Sequence, residues 1–497
     1  MRTRLRRTPA HRNFAHTELP HPPGRRPVVG DIPTVMRTEG GGPVQQMLKL
    51  AKDQGPLFEI RTFSRKFVLT TDAALTAELS DESRFQKTLA PGVEALRDVA
   101  GDGLFTAFSD EPNWALAHDL LLPAFTRGSM RGYHDTMNEV CSELIASWDR
   151  DGGPVAVSPA LTKMTLETIG RTSFSTDFGS FTSTEQHPFV TAMITALAGG
   201  QQRGFLSAVP GGRLLLLRGK KLYDERRAYV NTMLDEIIEA RRAQGDTSTG
   251  DLLGLMLNSA HPDTGEKLDL TNVRYQINTF LVAGHETTSG ALSFALYYMT
   301  RDPQVMRLAQ QEADAILGAD PDAVPTFEQV PKFRYIRRCL DEALRLWPTA
   351  PGFARGPRES SETIGGQWTM HPGDWVLVML TAVHRDPKVW GENAEAYDPD
   401  RFLPEQIRAR PAHTYLPFGV GDRACIGRQF ALHESVLALA RLVHRYDLTP
   451  DPDYKLRIAE RLTLMPRDFT LSVEHRAPET RSRDEAPSKE THVRLAN

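Results

Sequence analysis

The chain has 497 residues, a net charge of −4, and 40% hydrophobic and 25% charged residues. This length predicts one large domain or two to three ordinary domains, and the composition is that of a soluble globular protein. The slightly acidic balance argues against a nucleic-acid-binding protein, which normally carries a strongly basic face. The three cysteines, Cys141, Cys339 and Cys425, are far apart and odd in number. They exclude a disulfide framework and favour a reducing, cytoplasmic setting.

The first elements along the chain follow from local patterns. Residues 1–30 are predicted to be a basic, proline-rich and disordered lead-in, and the opening MRTRLRRTPAHRNFAH has no apolar core. It therefore predicts neither a signal peptide nor a membrane anchor. The runs LFEIR and RKFVLTT flank the short segment TFS and predict a β-hairpin. From Asp72 to Thr300 the pattern is mostly helical.

A long helix is predicted around FLVAGHETTSGALSFALYYM, residues 280–299. It can begin near Thr271 and has to end before Pro303, which gives a length of roughly 45 Å. Its flanks are apolar, but its centre holds a glycine, a histidine, an acid and two threonines. A glycine costs a helix interior about 1 kcal/mol relative to alanine, and a buried carboxylate costs more unless it is satisfied. These central residues exclude a membrane span and indicate a functional site.

The second half of the chain adds helices and short strands. PKFRYIRRCLDEALRLWP predicts an amphipathic helix that Pro348 stops, WVLVML a strand, and residues 427–446 a further helix. LTLMPRDFTLSV predicts a closing hairpin, and residues 477–497, with almost no apolar side chains, predict a disordered tail. Residues 31–476 are therefore predicted to form a mainly α fold with a minor β portion.

The segment PFGVGDRACIGR, residues 417–428, contains the most informative cysteine. Glycines 419, 421 and 427 predict room for something large and flat, Arg423 adds a cation, and a following helix would favour a thiolate at Cys425. No second cysteine or histidine lies nearby, so a four-ligand zinc site is excluded and one axial bond to a haem iron remains. The alternatives are a loose GxGxxA dinucleotide pattern, which lacks its βαβ context, and an ordinary buried cysteine.

Three motifs in the second half of the chain resemble motifs of the cytochrome P-450 superfamily. Residues 418–427, with the pattern FxxGxRxCxG, resemble its haem-binding loop, and DPDRF, residues 398–402, resembles its meander motif. Glu342-x-x-Arg345 resembles its ExxR pair, and because residues three apart share a helix face, the pair can jointly hold Arg401. The resemblance implies the P-450 fold and a haem b cofactor (iron protoporphyrin IX), with Cys425 as the axial ligand of the iron.

The sequence AGHETT, residues 283–288, resembles the oxygen-binding groove of the distal helix in that superfamily. The resemblance implies that Ala283 and Gly284 let the helix lie against the porphyrin and that the helix opens locally at Thr287. Glu286 and Thr287 would form the acid–alcohol pair that delivers protons to dioxygen. A metalloprotease HExxH motif is excluded because Ser289 stands at its second histidine.

Longer segments, such as GDGLFTAF, RLWPTAP and RACIGRQFALHE, resemble the haem domain of bacterial self-sufficient fatty-acid hydroxylases. This resemblance extends over about residues 43–475 and assigns further haem contacts to Arg423, Trp114, His118, Lys87, Phe418 and Gly427. Two departures stand out. The chain ends where the fused reductase of those proteins would begin, and Leu69 stands where they commonly have a tyrosine near the substrate entrance.

The resemblance implies a soluble, cytoplasmic monooxygenase that uses O₂ and NAD(P)H-derived electrons. A separate ferredoxin or flavodoxin with its reductase would deliver the electrons, and neither a membrane anchor nor a nucleic-acid partner is expected. An apolar channel is assigned to Phe105, Val93, Ala350 and Leu462, with Arg65 as an entrance cation for a carboxylate. These residues imply hydroxylation of medium- to long-chain fatty acids near the methyl end. The alternatives are an H₂O₂-using peroxygenase, a monooxygenase of another lipophilic or secondary-metabolite substrate, and a non-catalytic haem protein.

Overall fold

We analysed a computed structural model of the chain, which describes residues 13–37, 41–183, 185–206, 209 and 212–477. The helices of this part are α1 (Ile32–Val35), α2 (Pro43–Ala51), α3 (Ala73–Leu79), α4 (Pro91–Glu94), α5 (Arg97–Ala100), α6 (Pro112–Leu121), α7 (Arg127–Asp151), α8 (Val157–Phe174), α9 (Pro188–Leu206), α10 (Gly212–Ala243), α11 (Leu252–Asn258), α12 (Leu270–Arg301), α13 (Pro303–Leu317), α14 (Arg334–Leu346), α15 (Leu380–Val383), α16 (Pro387–Trp390), α17 (Pro404–Ala409) and α18 (Arg428–Arg445). The strands are β1 (Leu57–Thr62), β2 (Arg65–Thr70), β3 (Phe85–Thr88), β4 (Val155–Ala156), β5 (Gly352–Pro357), β6 (Glu362–Ile364), β7 (Trp368–Met370), β8 (Val376–Met379), β9 (Tyr446–Pro450), β10 (Ile458–Glu460), β11 (Leu464–Pro466) and β12 (Thr470–His475). The predicted mainly α fold with a minor β portion is confirmed.

Helix α12 is the central element, and α8, α14, α18 and α10 pack around it. Asp269 caps its start by accepting the N–H groups of Thr271 and Asn272, and Pro303 opens the next helix directly after its end. With 32 residues it is about 48 Å long and crosses the domain. Both predicted ends of this helix are confirmed. Within the described part of the chain, no helix combines the length and hydropathy needed to cross a bilayer.

The largest sheet has the strand order β1-β2-β8-β5-β3, in which only the β2–β8 pair is parallel. The predicted hairpin is confirmed as β1 and β2, which pair in register from Leu57 with Thr70 to Thr62 with Arg65. The predicted closing hairpin is wrong. β11 pairs with β10, and β12 pairs with β9 and β4, because the chain turns away between them at Asp468, which has a left-handed backbone with φ of 54°.

The lead-in predicted to be disordered is packed from residue 13 onward. The side chain of Asn13 donates to Trp375 O at 2.9 Å and accepts the Trp375 N–H at 2.9 Å, like a short strand partner of the sheet edge. Phe14 is buried in the core beside this sheet, and its N–H donates to Asp374. These polar and apolar contacts together hold Asn13 and Phe14 against the sheet. Residues 1–12 and the predicted tail beyond residue 477 lie outside the described residues.

Glu434 is a buried acid on the inner face of α18. Neither of its carboxyl oxygens has a hydrogen-bond partner among the described residues. The Thr168 hydroxyl, which donates to Met164 O at 3.0 Å, lowers the pKa of this carboxyl by less than burial raises it. Burial dominates and raises the pKa of Glu434 to about 8. The carboxyl is therefore mostly protonated at neutral pH in the folded state.

We expect Glu434→Gln to remove one source of pH-dependent stability. Because the pKa of Glu434 is raised to about 8 from an ordinary value of 4.5, the folded state binds the extra proton between these values. The free energy of unfolding should therefore fall as pH rises through this window, by about 1.4 kcal/mol per pH unit at most. Urea unfolding at pH 5, 6.5 and 8 measures this slope. Glu405→Gln on the exposed helix α17 is the control, and equal slopes in all three proteins would contradict the expectation.

Candidate functional site

A cavity of about 310 Å³ lies between the middle of α12 and the segment that contains Cys425. This volume falls in the range of small-molecule sites. Of the predicted site residues, those that line it are Lys87, Phe105, Trp114, His118, Ala283, Thr287, Ala350, Phe418, Arg423, Cys425 and Gly427. Seven predicted residues are not part of this lining, namely Arg65, Val93, Glu286, Glu342, Arg345, Arg401 and Leu462.

Cys425 is held in a tight turn before α18. Its N–H donates to Phe418 O at 2.7 Å, and the N–H of Gly427 points at its sulfur. Burial raises the pKa of the Cys425 thiol above its ordinary value, whereas the Gly427 N–H and Arg428 lower it. The side chain is accessible on the cavity side. The prediction of Arg423 as the cation beside the sulfur is wrong: Arg423 binds Leu104 O and Ala107 O, and the cation that acts on the Cys425 thiol is Arg428.

The glycines of this turn were predicted to leave room for a large, flat ligand, but not all of them do so. Gly421 has a left-handed backbone with φ of 70°, and a side chain there would clash with the carboxylate of Glu82. That carboxylate accepts the N–H of Asp422 at 3.1 Å and so braces the turn from outside. A Cβ atom on Gly427 would meet only ordinary contacts, the nearest at 3.9 Å. The glycine at 421 therefore makes room for Glu82 rather than for a flat ligand.

Arg423 lies on the cavity side, away from the sulfur. Its guanidinium group donates to Leu104 O at 3.1 Å and Ala107 O at 2.9 Å. It also lies 4.8 Å above the ring of Trp114, which stacks on His118 with a centroid distance of 5.1 Å. Burial lowers the pKa of Arg423 to about 10, and Glu111 only partly opposes this effect.

Two further cations line the same cavity. Lys87 donates to Phe105 O at 2.8 Å, and burial, followed by repulsion from Arg423, lowers its pKa well below the ordinary value. Arg355 is almost fully buried, donates to Leu79 O at 2.9 Å, and also has its pKa lowered by burial. Sequence reasoning missed Arg355 because no motif marks it. The lowered pKa values of Lys87, Arg355 and Arg423 indicate that nearby carboxylates do not fully balance their positive charges. This under-compensated charge favours an anionic ligand.

The middle of α12 is a regular helix rather than an opened one. Thr287 lines the cavity, and its hydroxyl donates to Ala283 O one turn earlier at 2.6 Å. A Cβ atom on Gly284 would lie 3.1 Å from Ile169 of α8. Gly284 therefore permits close packing of α8 on α12, and the predicted local opening of the helix is absent from this described segment.

Glu286 lies on another face of α12 and does not line the cavity. Its buried carboxylate accepts the hydroxyl of Thr463 at 3.0 Å and lies 3.4 Å from a guanidinium nitrogen of Arg461. The side chain of Arg461 is 48% exposed. Glu286 is thus connected to solvent through the turn between β10 and β11, whereas the neighbouring Thr287 faces the cavity.

The predicted ExxR pair is fully buried on α14. Arg345 donates to both carboxylate oxygens of Glu342, at 2.6 and 2.7 Å. Arg401 lies 3.5 Å from the same carboxylate but has no direct contact with Arg345. Its partners besides Glu342 are the carbonyls of Trp390 and Asn393. The remaining donors of Arg345 reach the carbonyl oxygens of His384, Ala394 and Ala396.

The three predicted substrate residues outside the cavity lie elsewhere in the fold. Arg65 begins β2, Val93 lies on α4, and Leu462 packs on the main core next to Arg461. Leu69, expected at the substrate entrance, is 1% exposed and packs in a separate core cluster with Phe58 and Ile60. Its side chain therefore has no contact with the cavity.

Comparison with known proteins agrees with the site geometry. A family model described as Cytochrome P450 matches residues 20–473. The chain belongs to the cytochrome P450 family. It is 40% identical over 463 residues to the bifunctional cytochrome P450/NADPH–P450 reductase 1 of Bacillus subtilis, which covers 93% of this chain and 42% of that protein. It is also 39% identical over 458 residues to a bifunctional cytochrome P450/NADPH–P450 reductase of Bacillus cereus, covering 92% of the chain and 42% of the relative.

A fungal relative has a similar identity and coverage. The chain is 37% identical over 459 residues to a self-sufficient cytochrome P450 monooxygenase of Phanerodontia chrysosporium, covering 91% of the chain and 42% of that protein. The chain thus spans about two fifths of the length of these P450 relatives.

The P450 family implies haem, and the residues present fit this cofactor. Cys425 offers sulfur, a donor suited to a soft metal centre. Lys87, Arg355 and Arg423 offer under-compensated positive charge for two carboxylates on the same cavity. Aromatic and aliphatic side chains supply the apolar walls that a porphyrin face requires.

We expect Arg345→Lys to destabilise this P450 and to lower its haem content. A lysine ammonium is a point charge that cannot reach both carboxylate oxygens and three carbonyls, so buried polar groups lose their partners. The lysine still pairs with Glu342, so the expected loss is about 1–3 kcal/mol from buried acceptors left without a donor. The midpoint of thermal unfolding and the haem bound per chain measure the effect. Arg334→Lys, at the exposed start of the same helix, should leave both values unchanged, and an unaltered midpoint in Arg345→Lys would contradict the structural role.

Proposed function

We propose that this chain is a haem-thiolate monooxygenase that converts RH, O₂, two electrons and two protons into ROH and H₂O. The observation that carries this proposal is that the Cys425 thiol and the Thr287 hydroxyl line one apolar cavity, from two different elements. Bound haem supplies the activation of O₂, and thiolate donation favours O–O cleavage. The remaining roles fall to side chains of the chain itself.

Four groups are proposed to bind and orient the cofactor. Cys425 would bind the haem iron through its sulfur, and the Gly427 N–H lowers the pKa of that thiol. Arg423, Lys87 and Arg355 are proposed to bind the propionate carboxylates, because all three line the cavity with under-compensated charge. Trp114 and His118 stack beside Arg423 and limit its side-chain freedom.

Thr287 and Glu286 are proposed to move protons in sequence. Thr287 Oγ1 can hold a proton at the cavity wall, where its hydroxyl is accessible. The Glu286 carboxylate lies on the solvent-linked side of α12, beside Arg461. Transfer between the two requires either a rotation of the Glu286 side chain away from Thr463 or a bridging water.

The substrate is proposed to be a lipophilic molecule, with medium- to long-chain fatty acids as the favoured class. Phe105 and Ala350 line the cavity with other apolar side chains, which suits an acyl chain approaching by its methyl end. A carboxylate has to stay near the surface, because burying it without a partner costs several kcal/mol. Anchoring by Arg65 stays part of this proposal, and electrons are proposed to come from a ferredoxin or flavodoxin with its reductase.

The proposed function is tested first by the absorption spectrum of the reduced, CO-bound protein. We expect the red-shifted band of thiolate-ligated haem, and Cys425→Ser should lose it because an alcohol is a poor iron ligand and is not ionised near neutral pH. Cys141→Ala, at a buried position outside the cavity lining, should keep the band. A normal band in Cys425→Ser would refute the axial-ligand assignment.

Substrate binding is tested by titrating the oxidised protein with dodecanoic acid and dodecan-1-ol. A low-to-high-spin shift with either compound supports a lipophilic substrate, and hydroxylation with NADPH, ferredoxin and its reductase supports the monooxygenase reaction. Turnover with H₂O₂ alone at a comparable rate would favour a peroxygenase. Spectral shifts with bulky polycyclic compounds and none with acyl chains would refute the fatty-acid assignment.

We expect Thr287→Ala to uncouple electron use from product formation. Without the hydroxyl at the cavity wall, proton delivery is mistimed and reductant is diverted to hydrogen peroxide, while substrate affinity changes little. The measurement is the ratio of product formed to NADPH consumed. Thr300→Ala is a matched control, since its hydroxyl also donates one turn back on α12, to Leu296 O at 2.7 Å. Equal ratios in the Thr287 variant and the parent protein would contradict the proposed role.

A further inference from the structure

Residues 101–107, named here the clamp loop, connect α5 to the approach of α6 and carry Phe105. The ring of Phe105 lines the cavity and is 38% exposed. The loop has only turns and no regular strand or helix. The position of this ring therefore depends on contacts that the loop makes with its neighbours.

One of these contacts comes from Gln276 of α12, which is fully buried. Its Oε1 accepts the N–H of Leu104 at 3.0 Å, and its Nε2 donates to Asn272 Oδ1 at 2.9 Å. Asn272 in turn donates to Asp102 Oδ1 at 2.9 Å. Two side-chain amides thus join Asp102 and Leu104 of the clamp loop to the same face of α12.

The cavity cations hold the opposite side of the loop. Lys87 donates to Phe105 O, and its ammonium lies 4.7 Å from the centre of the Phe105 ring. Arg423 donates to Leu104 O and Ala107 O. Lys87 and Arg423 therefore donate to carbonyl oxygens of the clamp loop, and Gln276 of α12 accepts its Leu104 N–H. These contacts fix adjacent peptide groups around Phe105.

The loop also lies too close to α12 for a rigid-body shift toward it. A side chain on Gly103 would clash with the hydroxyl of Thr279. The loop therefore has more freedom to move away from α12 than toward it when the Gln276 contact is lost. Such a movement changes where the Phe105 ring stands.

We infer that Gln276 is a positioning residue that fixes the clamp loop, and through it the Phe105 ring, and so sets which substrate carbon is presented for reaction. Only the part of this inference that concerns the substrate carbon rests on the proposed function. Gln276 does not line the cavity, so its effect on selectivity is transmitted through the peptide N–H of Leu104.

The variants for the test are Gln276→Met, Gln276→Glu and Asn278→Leu in the haem-loaded protein. Methionine keeps the shape and removes both amide contacts. A buried glutamic acid stays protonated, so its carbonyl oxygen can accept from Leu104 and its hydroxyl can donate to Asn272. Asn278→Leu is the control, because this residue of α12 donates to Val99 O at 3.2 Å, outside the clamp loop.

We expect hydrogen–deuterium exchange of a peptide containing Leu104 to quicken roughly two- to tenfold in Gln276→Met, because a buried N–H loses its acceptor. Gln276→Glu and Asn278→Leu should exchange at the parental rate in this peptide. With dodecanoic acid, Gln276→Met should change the ratio of hydroxylated positions, while the other two variants keep the parental ratio.

Parental exchange in Gln276→Met overturns the inference, whether or not dodecanoic acid is a substrate. Faster exchange with an unchanged product ratio also overturns it, because the loop contact then does not position Phe105. If the parent protein does not hydroxylate dodecanoic acid, the substrate proposal fails separately. In that case the affinity of 4-phenylimidazole for the haem-loaded protein reports on the Phe105 ring, and an affinity altered in Gln276→Met alone supports the inference.

Discussion

The buried ion pair of Glu342 and Arg345 connects the helical core to the turn that holds Cys425. Arg345 binds the carbonyl oxygen of His384 at 2.8 Å, and His384 Nε2 accepts the N–H of Leu416 at 2.9 Å. Burial, and then the positive charge of Arg345, lower the pKa of His384 to about 3, so its ring is neutral and can accept this bond. Leu416 directly precedes the segment whose Phe418 carbonyl receives the Cys425 N–H. The cysteine turn is therefore linked to α14 by three hydrogen bonds and the short covalent segments between them.

A second constraint comes from the regularity of α12. Successive residues of an α-helix point about 100° apart, so neighbours in sequence face different surroundings. Thr287 faces the cavity, and Glu286 faces Thr463 and Arg461. The helix thereby separates the group that holds a proton at the cavity from the group that communicates with solvent. This arrangement keeps a charged carboxylate out of the apolar cavity, where its desolvation would be expensive.

Sequence reasoning succeeded where a feature depends on local spacing. The ends of α12, the first hairpin and the contact of Glu342 with Arg345 all follow from residues a few positions apart. It failed where partners are distant in sequence, because spacing carries no information about them. Glu82 meets the Cys425 turn, Arg355 enters the cavity, and Asn13 pairs with Trp375 across more than 300 residues. The closing hairpin failed because β11 pairs locally with the preceding strand β10, whereas β12 pairs with β9 and β4.

The cavity cations show why cofactor binding and substrate positioning belong to one structure. An arginine has five N–H donors in a fixed plane, and Arg423 directs its contacts to Leu104 O, Ala107 O and Ser109 Oγ. The same guanidinium group borders the cavity, so it can bind a carboxylate without releasing the loop that carries Phe105. Lys87 combines the same two tasks through a single ammonium. Arg423 and Lys87 thus contact carbonyl oxygens of the loop that carries Phe105, while Gln276 accepts the Leu104 N–H of the same loop.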